Sequence, residues 1–386
     1  MRITKYFYLV ACSCLFLGAC GDSSDSQPES TEPLPQYDFS AVDERFQEFL
    51  DESDTYDGIS VILVDKSQGV VHKKAFGDHT VDIVVLLAST SKAASASLLV
   101  ALDDNSEIDF DLDAPISDYL PWQGVYGDRT TTQLLSNTSG IPGFGGRKDY
   151  GIHECQYDPD AILENCARLI YSNELSGTQA AGTAFSYGGS QWHLSGAVAE
   201  HVTNSELGQA FDEFIAQPCD LEVYKIGNMT VQSKYEWTGH PDSLAGLGNP
   251  HMGGGAISNL KDMAKLLLMY LHDGMCGDNR VMSRDAVLSM QVDRTSEISP
   301  VSYGLGWWMG PRDWMMPEDK ESPYLFRDTG GYGSIAWLDT KRMIGGFVPI
   351  DAYTGANAND VWSLVLDEII PLIGKIVDDA RAAVDQ

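Results

Sequence analysis

The sequence predicts an α/β protein of the α+β kind. In it an antiparallel sheet built from N- and C-terminal strands is flanked by helices, with a mostly helical region inserted between them. Three observations carry this. Strand-like runs stand at both ends: GISVILVD and GVVHKKAFG early, then YGLGWWMG, YGSIAWLD and MIGGFVPID late. Between about 100 and 245 the signals are mostly helical, punctuated by Gly and Pro. Amphipathic helices, at 38–53 and 259–273, accompany both groups of strands.

The chain begins differently. Arg2 and Lys5 precede an apolar run from Tyr6 to Ala19, and small residues lead into LGAC at 17–20. A positive start, a short apolar stretch and small residues describe a secretory signal. The run is shorter than the roughly 20 apolar residues of a membrane span. Its LGAC ending resembles a bacterial lipoprotein signal. That resemblance implies removal of residues 1–19, acylation of Cys20, and an exported protein in the periplasm or on the outer membrane, held to the membrane only by that lipid. Residues 20–36 (from 21, GDSSDSQPESTEPLPQ) show no apolar periodicity and read as a flexible tether. The folded domain is then 37–386, with its sheet region at about 37–99 and 246–386 and its helical region at about 100–245.

Within that domain, Phe39, Val42, Phe46, Phe49 and Leu50 give the first helix its apolar face. The next two strands are joined by a turn at Lys66–Gly69, and the last two by a hairpin at Thr340–Arg342. A helix from about 358 to 382 closes the chain, with a break expected near Pro371.

Composition narrows the function. There are 25 Lys+Arg against 56 Asp+Glu, a net charge of −31. Nucleic acid as a partner is disfavoured, because its backbone must be met by cations. Polyanionic substrates are disfavoured for the same reason. Of the 7 cysteines, Cys12, Cys14 and Cys20 belong to the signal, leaving Cys155, Cys166, Cys219 and Cys276. An even number in an exported chain predicts two disulfides. Cys155–Cys166 closes a short loop, which leaves Cys219–Cys276. No C-x-x-C or paired-His spacing points to a metal, and nothing calls for a cofactor.

The stretch VVLLASTSKAASASLLVAL, 84–102, passes from an apolar run through a polar turn into a helical pattern. Ser89 and Lys92 lie three apart at that junction. Residues i and i+3 share a helix face, so the lysine can lie beside the hydroxyl, as activation of a weak nucleophile requires. A second copy of S-x-x-K, Ser258 to Lys261, sits ahead of the amphipathic 259–273 helix; there Ser258 reads as a cap and Lys261 as a solvated first-turn residue. Neither G-x-S-x-G nor H-E-x-x-H occurs, and His72, His79 and His193 are scattered.

Several segments together resemble the serine β-lactamase/penicillin-binding-protein-like superfamily, especially its class C branch and the related family VIII carboxylesterases. They are ASTSK (88–92), DLDAPISDYLP (111–121), TTTQLLSNTSGIPGF (130–144), AGTAFSYGGSQWHLSGAVAEHVT (181–203), GGGAISNLKDMAKLLL (253–268), YGLGW (303–307) and DTGGYGSIAWLD (328–339). The resemblance implies a β-lactamase/transpeptidase-like fold and an acyl-transferring serine hydrolase acting on a small-molecule ester or amide. It implies Ser89 as the acylated nucleophile with Lys92 beside it, and Tyr187 as the second-motif tyrosine. Tyr171-Ser-Asn173 matches the letters of Y-x-N but lacks the surrounding pattern. With Tyr187, the asparagine position becomes Gly189.

The third motif, K-T-G or H-T-G in the family, is Asp328-Thr329-Gly330 here, the expected substrate-facing strand. The backbone N–H groups of Ser89 and Gly331 are implied as the oxyanion hole. These departures disfavour carboxylate-bearing β-lactams and peptides and favour neutral esters. Two arrangements stay open for the base: a Tyr187 phenolate, or a neutral Lys92 with Tyr187 as relay. Asp328 either faces the site, turns away or pairs with Arg327. Trp307, Trp308, Tyr332 and Trp337 are candidates for an apolar pocket or for core.

Overall fold

A computed structural model describes residues 34–143, 147–230, 233, 235–310, 324–350 and 358–384. Cys20, the signal and most of the tether lie outside the described residues.

The domain starts with α1 (Ser40–Asp51), β1 (Gly58–Asp65) and β2 (Gly69–Gly77). The turn between β1 and β2 falls where the sequence places it. Asp65 Oδ1 accepts from the backbone N–H groups of Ser67 and Gln68, and Gly69 supplies the left-handed φ of 74°. A short β3 (Val85–Leu86) runs through a 3₁₀ turn at Ala88–Ser91 into α2 (Lys92–Asp104). The helical region adds α3 (Thr131–Leu135), α4 (Leu163–Ser172), α5 (Gly189–Thr203) and α6 (Leu207–Phe211). It also contains the two-residue strand β4 (Lys225–Ile226). After it come β5 (Ala256–Ser258), α7 (Leu260–Leu271), the small pair β6 (Met275–Cys276) and β7 (Asn279–Arg280), and α8 (Arg284–Met290). The chain closes through β8 (Trp308–Met309), β9 (Leu325–Thr329), β10 (Ile335–Asp339), β11 (Ile344–Val348), α9 (Ala358–Ser363) and α10 (Ile370–Val384).

The main sheet has the order β2-β1-β11-β10-β9-β8 and is antiparallel throughout, so the two ends of the sequence meet at the β1–β11 pair. β1 is buried along its whole length, which explains its near-continuous apolar run. Ile59, Val61 and Leu63 pack under α1 and the closing helix with Trp337, Val365 and Ile369. Ile62 and Val64 face the larger core with Leu98, Leu266 and Trp307. A second sheet, β3-β5-β4, joins the two regions. α2 runs through the larger core and is buried on all sides, so its alanines and serines are the small residues a central helix needs for close packing. Both expected disulfides are present: Cys155–Cys166 ties a 3₁₀ segment to α4, and Cys219–Cys276 ties the end of the helical region to β6.

Three local expectations change. Ser258 does not cap α7: it ends β5, paired with Val85, and Asn259 accepts from Asp262 N in its place. Only Trp308–Met309 of YGLGWWMG is strand. The closing helix does not break at Pro371; a π-helical stretch, Leu364–Ile369, runs straight into α10. The wider π turn before Pro371 accommodates a ring that lacks an N–H and crowds the preceding carbonyl.

Candidate active site

Ser89 sits in the 3₁₀ turn that links β3 to α2, partly exposed, while Thr90, Ser91 and Lys92 behind it are buried. Ala88, just before it, holds φ 47°. This is a left-handed conformation that costs a non-glycine residue about 1–3 kcal/mol and persists where the surroundings over-determine it. Lys92 Nζ donates to Ser89 Oγ at 3.1 Å, and also to the carbonyl of Gly253. The ammonium lies 4.6 Å from the centroid of the Tyr187 ring and 5.5 Å from that of Trp192. Ser89 also acts on the Tyr187 hydroxyl, lowering its proton affinity against the effect of burial. Ser89, Lys92 and Tyr187, chosen from sequence, therefore meet at one point. Tyr171 lies elsewhere, buried in α4 against Trp122.

Burial governs the proton affinities. It pushes Lys92 down to about 7, partly opposed by the charge of Asp328. It pushes Tyr187 far up, and Asp328 adds to that. A cation over the ring face does not reverse the shift, so the tyrosine stays a phenol at neutral pH.

Asp328, expected on the substrate-facing strand, is shut off from solvent at 0% exposure. It points under the start of α2, where its Oδ2 accepts from Ala93 N at 2.9 Å. Burial pushes this carboxyl up to about 8, with Ala93 N–H and Lys92 pulling the other way. Arg327 points to the opposite side of β9. It donates to Gly310 O at 3.3 Å, with its guanidinium 5.8 Å from the Trp308 ring. The part of the motif open to a ligand is thus Thr329, partly exposed, and Gly331, exposed with open space where a Cβ would go.

The tryptophans separate. Trp307 and Trp337 are core. Trp308 joins Phe185, Tyr187 and Tyr303 in an aromatic wall, at 5.9, 5.0 and 4.9 Å between ring centroids. Tyr332 is partly buried in the turn after Gly331.

Other neighbours were not visible in sequence. Gly189 is packed so closely that a Cβ there would lie 2.1 Å from Gln156 Oε1 and 2.7 Å from His251 Nε2. The volume a side chain at 189 needs is therefore filled from two distant segments. His251, kept neutral by burial at about 3, stacks on Tyr157 at 5.3 Å and heads the turn that presents the Gly253 carbonyl to Lys92. The glycines at 253–255 were the only signal for this turn.

The fold is shared with known proteins. The β-lactamase family model matches residues 42–359. A Bacteroides dorei protein, provisionally classed as a β-lactamase, superposes with a TM-score of 0.68 at 26% identity, covering 89% of this chain and 99% of its own. EstCE1, a hydrolase with promiscuous acyltransferase activity, does so at 0.66 and 17% identity, covering 88% and 98%. A family VIII carboxylesterase gives 0.62 at 20% identity, covering 85% and 96%. Comparison with curated protein sequences finds no significant match. A serine–lysine–tyrosine cluster at the junction of two sheets, on a fold matched over nearly the whole domain, leaves one assignment: the chain belongs to the β-lactamase family.

Proposed function

We propose that the protein is an exported, lipid-anchored serine hydrolase that cleaves neutral esters through a covalent acyl-Ser89 intermediate. The observation that carries this reading is the Ser89 hydroxyl bonded to Lys92, whose amine lies over the Tyr187 ring, with burial favouring the neutral form of both Lys92 and Tyr187. A lysine brought down to about 7 is well matched to general-base work near neutrality.

Ser89 Oγ attacks the ester carbonyl as its proton passes to Lys92 Nζ. The developing oxyanion is met by the backbone N–H groups of Ser89 and Gly331. Collapse breaks the bond to the alcohol, which leaves with the proton returned through Tyr187. Water then repeats the sequence on the acyl-serine, releasing the acid and free Ser89. Neutral substrates are favoured because Asp328 replaces the cation of the family's third motif, and the aromatic wall around Trp308 offers apolar contact. The small-molecule substrate is the only soluble partner this reading needs, with no cofactor.

Amide hydrolysis is the second reading. A D-stereospecific amidohydrolase from Streptomyces is among the structural neighbours, and a protonated Tyr187 is the donor an amine leaving group requires.

The test uses a fluorophosphonate probe and two chromogenic substrates. The probe is expected to label Ser89. In kcat/KM, p-nitrophenyl butyrate is expected to exceed the carboxylate-bearing cephalosporin nitrocefin by at least ~100-fold, about 2.7 kcal/mol of discrimination. Efficient nitrocefin turnover would defeat the neutral-ester reading, and an unlabelled Ser89 would defeat the enzyme.

A further inference from the structure

Two buried hydroxyls beside the site take no part in the chemistry above. Thr90 follows Ser89, and Ser334 closes the turn that carries Gly331; both are almost wholly buried. Ser334 Oγ donates to Leu87 O at 2.9 Å and lies 2.9 Å from Thr90 Oγ1. Thr90 Oγ1 also has Ser334 O at 3.1 Å and Asp328 O at 3.4 Å. Each hydroxyl has one proton to give. With that of Ser334 committed to Leu87, that of Thr90 goes to the carbonyl or hydroxyl of Ser334, or to Asp328 O, and every choice joins the same two segments.

Backbone contacts complete the link. Gly330 N donates to Ser334 O at 2.8 Å. Gly330 also approaches the serine turn so closely that a Cβ would lie 2.0 Å from Leu87 O, 2.6 Å from Ser334 Oγ and 2.7 Å from Thr90 Oγ1. Ser89 and the left-handed Ala88 lie between Leu87 and Thr90 on one side. Gly331 lies between Gly330 and Ser334 on the other.

We infer that Thr90 and Ser334 are positioning residues that fix the distance between the Ser89 and Gly331 N–H groups and hold Ala88 in its strained conformation. This rests on the acyl-serine reading. A donor pair acts on an oxyanion only at hydrogen-bond distance from both sides, so a slackened link costs rate rather than ground-state binding.

The full-length protein is compared with Thr90→Val, Thr90→Ser and Ser334→Ala. The readouts are kcat and KM for p-nitrophenyl butyrate, the affinity for phenylboronic acid, whose serine adduct places an oxygen between the same N–H groups, and thermal melting. Thr90→Val and Ser334→Ala are expected to lower kcat by ~10–100-fold with KM nearly unchanged, and to weaken the boronic acid by a similar factor. Thr90→Ser, which restores the hydroxyl, is expected to recover most of the loss. If Thr90→Val does not fold, Ser334→Ala carries the same comparison, since it frees Leu87 while keeping the Ser334 carbonyl for Thr90. Folded variants with wild-type kcat and boronic acid affinity, or a loss confined to KM, would overturn the inference while leaving the acyl-serine reading intact. A wild-type protein that neither turns over the ester nor binds the boronic acid would overturn both.

Discussion

Ser89–Lys92 and Ser258–Lys261 share one spacing, and both stand where a strand passes into a helix. Their strands even pair, Val85 opposite Ser258. Around the first copy the chain turns sharply at Ala88, and Lys92 enters the core, 3% exposed, beside the serine hydroxyl. Around the second, Asn259 is extended and takes the cap. Lys261 then turns outward to Glu222, with about half of its side chain in solvent. Burial lowers the proton affinity of Lys92, whereas the hydrogen bond to Glu222 raises that of Lys261. The spacing puts two side chains on one face, and the surroundings decide whether they make an acid–base pair.

The largest test of this contrast exchanges the serines. Ser89→Ala is expected to reduce p-nitrophenyl butyrate hydrolysis by more than ~10³-fold. Ser258→Ala is expected to stay within ~3-fold of wild type, because its hydroxyl bonds Asn259 O and not the Ser89–Lys92 pair. Loss of activity in Ser258→Ala alone would reverse the assignment of the two copies.

A second test concerns crowding. Gly189→Asn, which restores the family's second-motif residue, drives a side chain into Gln156 and His251. It is expected to lower stability by about 1–3 kcal/mol, with part recovered by adding Gln156→Ala. Lys261→Asn, on the open side of the comparison, is expected to change it by less than ~0.5 kcal/mol. Denaturant unfolding of the four proteins gives the answer, and a Gly189→Asn variant as stable as wild type would mean that the space is not filled as described.

The smallest effect is electrostatic. Lys92 acts as base when neutral, so activity rises with pH through its midpoint near 7. Asp328, raised to about 8, carries only part of its charge as Lys92 titrates, and that part raises the midpoint; neutral Asp328→Asn keeps an acceptor for Ala93 N–H but removes the charge, so the rise should move to lower pH. The displacement should be smaller than the roughly one unit that a full nearby charge gives. Glu222→Gln, facing the other lysine, is expected to leave the profile in place. The comparison is kcat/KM for p-nitrophenyl butyrate from pH 5 to 10, and an upward shift in Asp328→Asn would contradict Lys92 as base.

Much of this molecule is readable along the chain. The apolar run and length of GISVILVD, the amphipathic faces of α1 and α7, and the hairpin at Thr340–Arg342 are local patterns, and each became the expected element. The closeness of Ser89 and Lys92 is also local, because i and i+3 face one way on any helical turn. Cysteine number led to both disulfides. Other features have no local cause. Asp328 turned out to be sealed under the start of α2 because β9 packs against the 3₁₀ turn that leads into that helix. Gln156 and His251 fill the space at Gly189 from segments 33 and 62 residues away. Thr90 and Ser334 are 244 residues apart and meet only across two converging turns. Spacing is a property of one segment, whereas desolvation, crowding and the distance between two backbone donors arise only when several segments pack together. The sequence by itself therefore determined which residues could act, and tertiary packing alone decided their protonation and the width of the gap they act across.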